Sequence, residues 1–187
     1  MLTERESHQL NDFLGSAEIF TSAVNDLMAR QLKEVTGPDV TFSQLKLLKM
    51  VAATGGYSVS NLAQFMGVST AAASRAVDRL VKRGLLNRAE AADDRRAVQL
   101  SLTQEGTELL EKYDLAAEVA LRGAFESLTS EQLQETGDML DRLSVKLVER
   151  GNGSDTMCFR CGIYFRDRCL LRKSQHGACL YHLEKTK

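Results

Sequence analysis

At 187 residues, 43% of them hydrophobic and 26% charged, the chain is long enough for one ordinary globular domain plus a small appendage, and too apolar for a disordered polymer. No apolar run reaches the roughly 18 residues that cross a bilayer, and the opening MLTERESHQLNDF has charges and amides where a secretion signal is apolar, so the expected compartment is cytoplasmic with no membrane partner. The net charge of -1 would argue against a nucleic-acid ligand if it were spread evenly, but residues 69–99 carry seven basic against four acidic residues and residues 158–187 seven against two.

A single proline, Pro38, and leucine- and alanine-rich spacing predict a mainly α fold. The first helix is expected from about Glu4 to Leu32, opened by a capping box between Thr3 and Glu6. Leu10, Phe13, Leu14, Ala17, Phe20, Val24, Leu27 and Met28 recur at three- and four-residue intervals and form one stripe, packed either on the chain's own domain or on a partner subunit. Thr36-Gly37-Pro38-Asp39 reads as a turn. A second capping box, Thr41 to Gln44, starts a helix with Phe42, Leu45, Leu48 and Val51 inward, ended by Gly55-Gly56.

A short helix over about Ser60 to Met66, a turn at Gly67 and a helix over about Thr70 to Arg83 make a helix-turn-helix. The second of these helices buries Ala73, Ala76 or Val77, and Leu80, leaving Ser69, Thr70, Ala71, Ser74, Arg75, Asp78, Arg79 and Lys82 outward. Small polar side chains can reach bases or phosphates, alanine can meet a thymine methyl, and arginine can grip guanine or the backbone. Gly84 stops the helix, and Leu85 to Arg88 and Ala97 to Leu102 are predicted strands flanking a charged tip, Glu90 to Arg95. Arg95 at that tip can enter a minor groove. Thr103 caps a long helix to about Glu126, and a third capping box, Thr129 to Gln132, opens a last helix to near Arg150 with Leu133, Met139, Leu140, Leu143 and Leu147 on its apolar face.

These residues resemble the MarR family of winged-helix regulators across residues 1–150. The family's D-R-L-x-x-x-G-L pattern is met by Asp78, Arg79, Leu80, Gly84 and Leu85, and its wing signature by Asp94, Arg96, Leu102, Thr103 and Gly106. The resemblance implies that Asp94 and Arg96 brace the wing, that Arg95 contacts DNA, and that the first and last two helices build a homodimer reading a pseudo-palindromic operator. It further implies a small-molecule effector between dimer helices and winged domain as one trigger. Two-fold pairing also has a geometric basis, because one recognition helix makes few base contacts and paired helices would sit about 34–36 Å apart. A charge run by itself most often only solvates a surface. Here the helix-turn-helix, stop glycine, wing and capped helix follow one another in order, so several independent levels agree on DNA binding.

All four cysteines fall after residue 157. Cys158-x2-Cys161-x7-Cys169-x9-Cys179 supplies enough thiolates for a tetrahedral zinc site or a 4Fe-4S cluster, and the first pair has the spacing and following glycine of a zinc knuckle. Cys169 and Cys179 are isolated rather than a second C-x2-C, which leaves the two-knuckle zinc signature half present and is equally acceptable to an iron-sulfur cluster; His176 and His182 are alternative ligands and more ordinary as surface residues. The segment lies outside the MarR pattern, and the peroxide-sensing cysteine that some family members carry near the N-terminal dimer helices has no counterpart here.

The expected organisation is a winged-helix domain with dimerisation helices over residues 1–150, a linker over 151–157 that Gly151, Gly153 and Ser154 make flexible, and a small metal-binding module over 158–187. The expected function is sequence-specific transcriptional regulation, as a repressor, with metal or redox state able to act through the cysteines. The alternative is a protein-interaction module whose zinc-stabilised tail grips a partner. No nucleophile with a base, phosphate loop or paired carboxylates suggests an enzyme.

Overall fold

The computed structural model describes residues 3–54, 58–90 and 98–150, together with Leu170. The described residues form helix α1 (Glu4–Thr36), a single 3-10 turn (Gly37–Asp39), helices α2 (Phe42–Thr54), α3 (Val59–Met66) and α4 (Thr70–Lys82), strands β1 (Leu86–Glu90) and β2 (Val98–Leu102), and helices α5 (Gln104–Ala124) and α6 (Ser130–Arg150). This is a mainly helical winged-helix arrangement.

The Thr3 capping box opens α1: Glu6 donates its N–H to Thr3 Oγ1 (3.3 Å), and Thr3 donates its own to Glu6 Oε2 (2.8 Å). Those bonds from the Thr3 backbone and hydroxyl hold the Glu6 carboxyl below the usual carboxylate range. At its other end α1 runs four residues past the expected stop at Leu32, because the Thr36 hydroxyl donates back to the Leu32 carbonyl at 2.8 Å and Gly37, with φ +66°, ends the helix instead.

The α1 stripe is divided along its length. Met28 and Leu32 are buried in the chain's own core, whereas Leu10, Phe13, Leu14 and Phe20 are 44–52% exposed. Among the described residues the N-terminal half thus has no covering layer, and the Phe20 ring meets that of Phe125, just beyond the end of α5, with centroids 6.4 Å apart.

Helix α2 departs from the single inward face expected of it. Leu47 and Met50 are as fully buried as Leu45, Leu48 and Val51, while Phe42 is half-buried. The helix lies in the middle of the fold, packed against α5 and β2, so it is covered from several directions and a one-sided pattern is not required of it.

The two strands pair antiparallel, with Leu86 opposite Leu102, Arg88 opposite Leu100 and Glu90 opposite Val98. The first strand begins at Leu86, one residue later than expected, because Leu85 belongs to the turn: its N–H donates to the Leu80 carbonyl (3.0 Å) and its carbonyl accepts from Thr103 N–H (3.2 Å). Leu80, Leu86, Leu100 and Tyr113 join α2 and α3 in one continuous core. Helix α5 ends at Ala124, two residues before the expected Glu126. Among the described residues no helix is long and apolar enough to cross a membrane.

Candidate nucleic-acid interface

Helix α4 has two opposed faces. Ala73, Val77 and Leu80 are completely buried against the core, in which α3 packs directly on α4. Ala76 is only half-buried, so of the two alternatives Val77 is the anchor. On the opposite side Ala71, Arg75, Arg79 and Lys82 are exposed and follow the four- and three-residue steps of one helical stripe. A short side chain at Ala71 followed by three cations leaves a surface that can approach base edges closely and hold phosphates on both flanks.

Ser69, Thr70 and Ser74 complete the set. Ser69 is the N-cap, its Oγ accepting from Ala72 N–H at 3.2 Å, so its side chain orders the first turn while remaining exposed. Thr70 is exposed and Ser74 half-buried. The positive end of the helix macrodipole lies at this first turn and favours a phosphate there.

Three attachments tie α4 to its neighbours, and of their contacts the sequence patterns signal only the Thr103 cap on α5. Asp78, expected to point outward, is half-buried and accepts from Arg88 Nη1 at 3.0 Å, tying the helix to β1. Arg83 donates through Nη1 to the Asp39 backbone carbonyl and places Nη2 3.5 Å from the Asp39 carboxylate, tying the end of α4 to the turn between α1 and α2. The Thr103 hydroxyl donates to the Gly84 carbonyl (2.5 Å) and accepts from Gly106 N–H (3.0 Å), clasping the stop glycine, at φ +70°, to the first turn of α5. Arg88 was visible only as one more basic residue, and a partner ten positions away in a different element leaves no periodic mark.

Gly106 explains its own place in the wing signature. A Cβ at this position would collide with the Leu85 carbonyl oxygen, so the close approach of α5 to the turn after α4 requires glycine. Asp94, Arg95 and Arg96 lie outside the described residues, as do Cys158, Cys161, Cys169, Cys179, His176 and His182. Among the described residues no group of histidine, cysteine and carboxylate side chains could hold a metal.

A family model described as "MarR family" matches residues 40–98, from the entry to α2 to the first residue of β2. An uncharacterized HTH-type transcriptional regulator, YhbI of Bacillus subtilis, is 36% identical over 59% of this chain and 71% of its own length. The HTH-type transcriptional repressor MdtR of the same organism is 30% identical over 68% of this chain and 86% of its own length. Among solved structures, Sco3205, a MarR family transcriptional regulator from Streptomyces coelicolor in complex with DNA, superimposes with a TM-score of 0.57 at 27% identity, covering 79% of this chain and 90% of that one.

Proposed function

The chain belongs to the MarR family of transcriptional regulators, and from that premise we propose that it is a homodimeric, sequence-specific DNA-binding repressor whose α4 lies in the major groove. The observation that carries the reading is the two-sided α4, anchored by Ala73, Val77 and Leu80 and presenting Ala71, Arg75, Arg79 and Lys82. Ser69, Thr70 and Ser74 meet phosphates or bases near its start, and Arg95, braced by Asp94 and Arg96, reaches the adjacent minor groove. The DNA in the Sco3205 structure and the word repressor in the name of MdtR support the ligand and the sign of regulation. The chemistry is recognition, not catalysis.

The exposed half of the α1 stripe supports the dimer, with Leu133, Leu140 and Leu147, which recur every seven residues on α6 and remain 41–71% exposed. A cavity of about 820 Å³ where α1, α2 and α5 meet the start of α6, lined by Met28, Tyr113, Ala117, Leu121 and Phe125 with the Lys49–Asp114 ion pair at 2.5 Å, supports an apolar small-molecule effector. The cysteines support zinc held by Cys158, Cys161, Cys169 and Cys179, the donor set of a closed tetrahedral site; a 4Fe-4S cluster is the alternative for the same four thiolates. Ligation would supply folding energy to a segment poor in aliphatic residues.

Selection from random-sequence duplexes tests the reading. The expected product is a palindrome with half-sites one helical turn apart, and Arg75→Ala together with Arg79→Ala should abolish the enrichment. Selection that enriches no sequence overturns the regulator and leaves the protein-interaction module.

A further inference from the structure

One face of α6 lies outside both the chain's core and the heptad row. Met139, Arg142, Leu143, Val145, Lys146 and Glu149 line a cavity of about 580 Å³, and the remaining lining residue is Leu170, twenty positions beyond the end of the helix. Leu170 is half-buried. We propose that this face is the seat of the cysteine-bearing segment 158–187 of the same chain, entered through Leu170.

Reach permits it. Met139 lies about 16 Å back along the helix axis from Arg150, and a twenty-residue connection can span roughly 60 Å when extended, so the segment can double back onto its own helix. Size calls for it as well. Thirty residues whose aliphatics are Ile163, Leu170, Leu171, Leu180 and Leu183 cannot enclose a core of their own, and the cavity has the several-hundred-Å³ scale of a ligand site, larger than one leucine side chain needs. Met139, Leu143 and Val145 supply the missing apolar wall.

Charge agrees at two scales. Helix α6 carries five acids (Glu131, Glu135, Asp138, Asp141, Glu149) against three bases, while the segment is strongly basic with seven against two. Locally the sense reverses. Cys169 directly precedes Leu170, and the wall that receives Leu170 carries Arg142 and Lys146, cations suited to a thiolate or to the net negative charge of a four-thiolate zinc centre.

The seat is centred away from the surface offered to a second copy: at 100° per residue the Leu133, Leu140 and Leu147 row points roughly a third of a turn away from Met139, Arg142 and Lys146, while Leu143 borders both and divides the apolar face expected from the sequence. Docking itself does not depend on the DNA reading. Its regulatory consequence does: the state of the four thiolates would reach the dimer through α6, the helix both surfaces share.

The test replaces Leu170 with a benzophenone amino acid in the full-length protein, irradiates a mixture of isotopically heavy and light copies, and maps the products. The expected result is cross-linking to residues 139–149 within one copy. In a companion measurement Leu170→Asp should raise amide hydrogen exchange over residues 142–149 several-fold while residues 77–80 of α4 keep their protection. Cross-links to other elements, heavy–light products in the proportion that random linking between copies gives, or α6 exchange unchanged by Leu170→Asp would each overturn the proposal. None of these readouts involves DNA, so failure of the DNA-binding reading, seen as selection that enriches no sequence, is distinguishable from failure of the docking.

Discussion

Asp78 in α4 and Arg88 in β1 meet at 3.0 Å, Nη1 donating to Oδ1, and this pair links the candidate recognition helix to the first strand of the wing. Both side chains remain about half exposed, 41% for Arg88 and 48% for Asp78, so solvent screens the attraction and its value to stability is about 0–1 kcal/mol. Its worth lies in geometry. Arg88→Ala should therefore leave the urea midpoint almost unchanged while weakening operator binding several-fold, measured by fluorescence anisotropy. Equal loss in the Asp78→Ala variant and no further loss in the double variant would show that the two act as one unit.

Gly106 should be intolerant in a way that other helical glycines are not. Gly106→Ala places a methyl against the Leu85 carbonyl oxygen, and overpacking a backbone contact typically costs about 1–3 kcal/mol. Gly137 lies within α6 with no described residue near its missing Cβ, so Gly137→Ala should stabilise by about 0.5–1 kcal/mol through helix propensity. Opposite signs in denaturant titration are the expected outcome.

The exposed segment of the α1 stripe predicts an oligomeric phenotype. Phe13→Glu combined with Leu14→Glu puts two charges on residues 44% and 52% exposed, so the isolated fold should survive with unchanged helicity. Sedimentation velocity should instead report a shift from dimer toward monomer, with operator affinity falling in parallel. Met28→Glu, on the buried half of the same stripe, should unfold the domain, because it places an unpaired charge in the core.

Metal content tests the proposed four-cysteine site and separates zinc from an iron-sulfur cluster. Protein purified without oxygen should be colourless and carry one zinc per chain; a brown protein absorbing in the visible would identify an iron-sulfur cluster instead. Serine at Cys158 and Cys161 should abolish stoichiometric metal in either case. Chelation that lowers operator affinity makes the site regulatory, and chelation that leaves affinity unchanged makes it a staple.

The periodic and punctuating features of the sequence were sufficient for the order of helices, the three capping boxes, the stop at Gly84 and the open face of α4. Those signals are local: a helix face repeats every three or four residues, a cap spans three, and a left-handed turn selects glycine at one position. The α1 stripe reads the same along its length, yet Met28 is buried and Phe13 is not, because burial depends on what packs above each turn. Leu47 and Met50 lie off the Leu45, Leu48 and Val51 face that the spacing marks, yet they are buried in a helix packed against both α5 and β2. Asp78 with Arg88, Arg83 with Asp39 and Thr103 with Gly84 join residues 10 to 44 positions apart, and only the tertiary structure decided them, since side chains distant along the chain choose partners by where packing brings their backbones.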